Sequence, residues 1–90
     1  MQIEFDANKR DWTFVERGLE FGRAAEVFLG PHHTRPDARR HYGEDRYLTI
    51  GLLDQRVVVV VWTQRGHARR IISMRKANER EIAYFARNSG

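Results

Sequence analysis

Five cations crowd the stretch from residue 69 to residue 80: Arg69, Arg70, Arg75, Lys76 and Arg80. With Arg65 just upstream, such a group could clamp a phosphate. A guanidinium grips phosphate oxygens as a bidentate fork and stabilises negative charge that grows during phosphoryl chemistry. Phosphoryl-transfer chemistry would also need a group to take a proton from the attacking hydroxyl and a group to protonate the leaving oxygen. His67, the nearest imidazole, is of the chemical type that moves protons near neutrality. Glu44 and Glu81 are carboxylates that could serve as base, although Glu81 is better placed to cap a helix. Ser73 has no histidine or acid placed by the sequence to activate it, so backbone or phosphate bonding suits it better than nucleophilic attack. Tyr84 could donate to a phosphate or sit half in the core. Trp12 could stack on a base or pack the first helix on the sheet.

The elements that must hold these groups can be read from periodicity. Ile71, Ile72 and Met74 give strand bulk to Ala68–Arg75. Strict alternation places Arg69, Ile71, Ser73 and Arg75 on one face and Arg70, Ile72 and Met74 on the other. Arg70 and Arg75 are therefore expected to point apart, with Ile72 in the core and Arg75 exposed, unless Arg75 pairs with Glu79 or Glu81. Asn78 followed by Glu81 reads as a capping box opening a helix from about Ala77 to Arg87, with Ile82, Phe85 and Ala86 at helical spacing. Upstream, Tyr47–Leu53 and the almost wholly apolar Val57–Thr63 read as strands, the second covered on both faces. Asp54-Gln55-Arg56 and Gln64-Arg65-Gly66-His67 form the turns between the strands.

Nearer the start, Ile3 and Phe5 suggest a short strand. Asp6 can cap a helix over Ala7–Arg17 in which Trp12 and Val15 form an apolar pair, and Gly18 can end it. A second helix is expected over Glu20–Leu29, stopped by Gly30-Pro31, with Leu19 packed inward between the two. His32 to Glu44 reads as a loop with a weak edge strand. His32, His33 and His41 lack the acidic partners at ligand spacing that a metal centre needs, so no metal is expected. No glycine-rich phosphate loop occurs, and no cofactor is expected. The order defines an α+β domain: two N-terminal helices and a C-terminal helix on a mainly antiparallel sheet.

Ninety residues fit a single domain spanning 1–90. Up to residue 64 there are nine Lys or Arg against ten Asp or Glu; from Arg65 onward there are seven against two. That asymmetry favours an anionic partner for the basic end. No apolar run approaches a membrane span, no signal-peptide pattern opens the chain, and there is no cysteine. The expected setting is the cytoplasm, away from membranes.

Arg70-Ile71-Ile72-Ser73-Met74-Arg75-Lys76-Ala77, followed by Glu81 and Tyr84, resembles a signature of the BrnT toxins of BrnT–BrnA type II toxin–antitoxin systems. Thr63-Gln64-Arg65, Glu44-Asp45-Arg46-Tyr47, Ile50-Gly51, Phe5-Asp6 with Lys9 and Trp12, and Arg17-Gly18-Leu19-Glu20-Phe21 with Ala24 extend the resemblance over nearly the whole chain. Residues 29–42 match less well, Arg17 stands where histidine is common, and Thr13 replaces an often-seen asparagine. The resemblance implies a RelE-like fold and a ribonuclease that blocks translation. It also implies a partner, a BrnA-like antitoxin with a ribbon-helix-helix DNA-binding domain, so that DNA is met only through that partner. On this reading Arg65, Arg70, Arg75 and His67 are the catalytic candidates, and Lys76, Arg69, Ser73, Trp12 and Tyr84 the RNA-binding ones. The residues alone leave two alternatives open, a non-catalytic nucleic-acid-binding domain and a module that binds an acidic peptide, and the resemblance leaves a third, an antitoxin-binding relic without ribonuclease activity.

Overall fold

The computed structural model describes residues 1–37 and 43–89. Its elements run β1 (Gln2–Phe5), α1 (Ala7–Arg17), a 3-10 turn (Phe21–Arg23), α2 (Ala24–Leu29), β2 (His32–Pro36), β3 (Arg46–Leu53), β4 (Arg56–Arg65), β5 (Ala68–Lys76) and α3 (Glu79–Ser89). The described strands make one five-stranded sheet in the order β1-β5-β4-β3-β2. β1 runs parallel to β5, and the other pairs are antiparallel. This is an α+β architecture with three α-helices among the described residues.

Local chemistry explains where the elements begin and end. The Asp6 side chain accepts from the Asn8 N–H at 3.1 Å and caps α1, while Gly18 ends it at φ 70° with its N–H donating to Phe14 O. Asn78 and Glu81 form the reciprocal box: Glu81 N–H donates to Asn78 Oδ1 at 2.8 Å, and Asn78 N–H donates to Glu81 Oε1 at 2.9 Å. The β3–β4 hairpin turns on Asp54 and Gln55 at φ 52° and 64°, a left-handed pair made without glycine. Arg23 steadies that turn from across the molecule, donating to both Asp54 carboxylate oxygens at 2.7 Å.

One face of the sheet is closed. Leu19, Phe21, Ala24, Val27 and Phe28 pack on Leu53, Val58, Val60, Trp62, Ile71 and Met74, with Phe5 and Tyr47 at the margin. α2 approaches β3 so closely at Gly51 that a Cβ there would lie 2.7 Å from Val27 Cγ1. Inside this layer the Trp62 indole N–H donates to Thr49 Oγ1 at 2.8 Å, and Thr49 shares a 2.7 Å hydroxyl contact with Thr34. The opposite face is only partly covered: Phe85 of α3 packs on Leu48, Ile50 and Val59.

Several expectations are corrected here. The second helix starts as a 3-10 turn and becomes α-helical only at Ala24, and α3 begins at Glu79, after its cap. α1 lies along β5, and Thr13 is its buried residue; Trp12 and Val15 face outward, 55% and 78% exposed. Among the α3 residues whose burial is described, Phe85 alone is buried, with Ile82 and Ala86 exposed. The expected edge strand exists as β2, and Leu19 is buried as expected. Ile72 is half-buried rather than core, for the reason given next.

Candidate nucleic-acid interface

β5 carries one residue more than its partner can match. Val61 pairs with Ser73, yet the next residue, Trp62, pairs with Ile71, so Ile72 is a bulge with no opposite number on β4. A bulge reverses the alternation. Arg69 and Ile71 stay on the closed face, and after the extra residue it is Met74 that returns there. Arg70, Ser73 and Arg75 consequently share the other face, where strict alternation would have separated Arg70 from Arg75.

Reading straight across the sheet shows what else lies on that face, because cross-strand partners point the same way. Glu4, Arg70, Thr63 and Arg46 are successive partners. The next rung holds Ser73, Val61, Leu48 and Arg35, and the one after it Arg75, Val59, Ile50 and His33. Arg46 and Arg70 are two strands apart, roughly 10 Å at ordinary strand spacing. Buried Val61 and Thr63 floor the space between them. The Thr63 hydroxyl donates to Asp45 O at 2.6 Å, which ties the start of β3 to β4.

Arg46, Arg70 and Arg75 are each held by a carboxylate. Arg70 Nη1 is 3.3 Å from Glu4 Oε1, and Arg46 Nε is 3.0 Å from Glu44 Oε2. Arg65, at the end of β4, reaches the other Glu44 oxygen at 3.6 Å. Arg75 makes a two-pronged bond to Glu81 at 2.7 and 2.8 Å. It is half-buried and paired, as the alternative reading of its charge had it, rather than exposed. The Arg75 bonds above all, and the Asn78 N–H, hold the Glu81 carboxyl below its usual range, with Arg35 adding a weaker pull. Glu81 is thus cap and clamp at once, its oxygens occupied. Glu44 is the carboxylate set between two guanidiniums at the open end.

The other candidates scatter. Arg69 lies on the closed face, its guanidinium 4.4 Å above the Phe28 ring and 4.7 Å above Trp62. Lys76 pairs with Val58 and so also faces away from Arg75. His67 is exposed in the β4–β5 turn and makes no hydrogen bond or ion pair among the described residues. Tyr84 meets the His33 ring edge-on at 5.9 Å. Trp12 stands on α1 beside β5, with the Arg17 guanidinium 5.1 Å from its ring. Arg35 and Arg46 join the face without having been singled out; the alternation of β3, which puts Arg46 in line with Leu48 and Ile50, was the available signal. His32 and His33 gather no carboxylates into a metal-holding group among the described residues, and His41 lies outside them.

The described residues form a small α+β domain that presents arginines and carboxylates on an incompletely covered sheet face. The family profile described as ribonuclease toxin, BrnT, of type II toxin-antitoxin system matches residues 5–81, and the chain belongs to that family. It is a ribonuclease toxin of a type II toxin–antitoxin system. No curated protein matches the chain.

Proposed function

We propose that the toxin cuts RNA on the open sheet face, in the space bordered by Arg35, Arg46, Arg70 and Arg75. The observation that carries this reading is the bulge at Ile72, which turns Arg70, Ser73 and Arg75 to one side. Carboxylates hold the guanidiniums in place before substrate arrives, and a scissile phosphate exchanges for those carboxylates. Glu44 takes the 2′-hydroxyl proton, the 2′-oxygen attacks phosphorus, and the bond from phosphorus to the 5′-oxygen breaks. The leaving oxygen receives its proton from His67, carried by the same hairpin as Arg65. The products are a 2′,3′-cyclic phosphate and a 5′-hydroxyl end. Arginine charge supplies the stabilisation that a metal would supply elsewhere.

The RelE-like assignment, translation arrest and cytoplasmic action belong to this proposal, as does silencing by a BrnA-like ribbon-helix-helix antitoxin that covers the cationic face. No helix among the described residues is long and apolar enough to cross a membrane. Purified toxin is incubated with RNA, with and without a chelator, and the cut ends are mapped. Chelator-resistant cleavage leaving cyclic phosphate is expected; cleavage abolished by chelation and restored by a divalent ion contradicts the arginine mechanism.

A further inference from the structure

β1 stops at Phe5, opposite Ile71, whereas β5 continues to Lys76. Along that remaining length β5 has α1 as its neighbour instead of a strand, and Arg17 donates to Met74 O at 2.7 Å across the gap. Between α1 and this part of β5 lies a cavity of about 370 Å³, within the range of sites that hold small organic groups. Its walls are largely apolar, with Trp12 and Ile72 on facing elements, and Asn8 and Lys9 place an amide and an ammonium on the lining. The bulge that removes Ile72 from the core puts it here. Ser73 also lines the cavity, while its pairing with Val61 sets it in the row between Arg70 and Arg75. The cavity and the cationic face therefore meet at one residue.

We propose that this cavity is a nucleobase subsite, taking one unstacked base of the RNA whose phosphate lies on the arginine face. The inference rests on the reading of that face as the RNA site. Three observations select a base as the occupant. The Trp12 indole is 55% exposed beside a concavity, with the Arg17 guanidinium 5.1 Å from its ring and much of the ring surface open to a flat ligand. Flat heterocycles stack on such rings whatever their sequence. Lys9 and Arg17 give the cavity positive charge suited to the phosphates on either side of the base. Asn8 and Thr13 supply hydrogen-bonding groups for a base edge. A base stacked and paired inside a duplex cannot enter a cavity between helix and sheet edge, so the subsite demands RNA that is single-stranded at that nucleotide.

The test uses the full chain and a 2′-O-methyl RNA oligonucleotide, which cannot be cut through its 2′-oxygen. The protein has two tryptophans, and Trp62 is only 7% exposed. Binding of the single strand should therefore quench the emission of Trp12. Trp12→Ala should weaken single-strand binding about 5- to 150-fold, Trp12→Phe should keep most of it, and affinity for the matching duplex should not change. If Trp12→Ala does not fold, Lys9→Glu at an exposed helix position carries the same test and should also weaken the single strand. Unchanged affinity of folded Trp12→Ala and Lys9→Glu, with normal binding by the parent, overturns the subsite and leaves the arginine face intact. Failure of the parent protein to bind any RNA overturns the underlying reading instead. Loss of antitoxin binding by Trp12→Ala with RNA affinity preserved assigns the cavity to the antitoxin and overturns the proposal.

Discussion

The two faces of the sheet use arginine in opposite ways. On the closed face Arg69 lies over Phe28 and Trp62, where its planar cation covers the edge of an aromatic core. On the other face Arg70, one residue along, stands with Arg46 and Arg75 around Val61 and Thr63, each facing a carboxylate that a phosphate could replace. Neighbours in sequence, of the same residue type, serve stability on one side and charge on the other. For the proposed site, strand parity, and not cation density, decides which arginine can meet a substrate.

The largest effect that could sharpen this contrast belongs to the closed face. Phe21 is fully buried and stacks edge-on against Phe5 at 5.9 Å. Phe21→Ala should cost about 3–5 kcal/mol in urea unfolding, a serious loss for a domain this small. A cost below about 1 kcal/mol would mean that this layer does not hold the fold together. Next comes the bulge. Met74→Ala should cost about 2–5 kcal/mol, and the half-buried Ile72→Ala clearly less. Equal costs at the two positions would restore the regular strand and return Arg70 to the opposite face from Arg75.

Smaller again is the contribution of the Arg75–Glu81 clamp. Because the folded state holds Glu81 ionised further into acid than the unfolded chain does, its stabilisation is complete above the unfolded value of about 4.5 and fades as pH falls below it. Glu81→Gln should lose about 1.5–3 kcal/mol at pH 7, and its deficit should shrink on acidification to pH 3. A deficit that stays constant over that range would show that the clamp's charge does not contribute.

Much of this architecture is legible in the chain because its signals are local. Asp6, Gly18 and the Asn78–Glu81 box each act within a few residues, and helix ends there could be read directly. The apolar run of β4 announced a strand covered on both faces. The bulge was not legible, since Arg69 to Lys76 alternates as well with it as without it; only the register against β4 reveals the extra residue. The long-range ion pairs were hidden for a similar reason, whereas the short-range Arg75–Glu81 pair could be anticipated. Glu4 and Arg70 lie 66 residues apart, and Arg23 and Asp54 lie 31 apart, so nothing local links them. Cation density singled out β5 as a whole, including Arg69 and Lys76, which face away from Arg70 and Arg75.

The central claim is that facing, not abundance, makes an arginine functional, and one paired measurement tests it most directly. Unfolding free energy and RNA cleavage are measured on the same preparations of Arg70→Ala and Arg69→Ala. Arg70→Ala should unfold within about 1 kcal/mol of the parent, because a partly exposed ion pair contributes little. Its cleavage rate should nevertheless fall by about 10²–10³, the worth of a transition-state donor. Arg69→Ala should be the less stable protein and keep cleavage near the parental rate per folded molecule. The reverse pattern, with Arg69→Ala folded but inactive and Arg70→Ala fully active, would contradict the account.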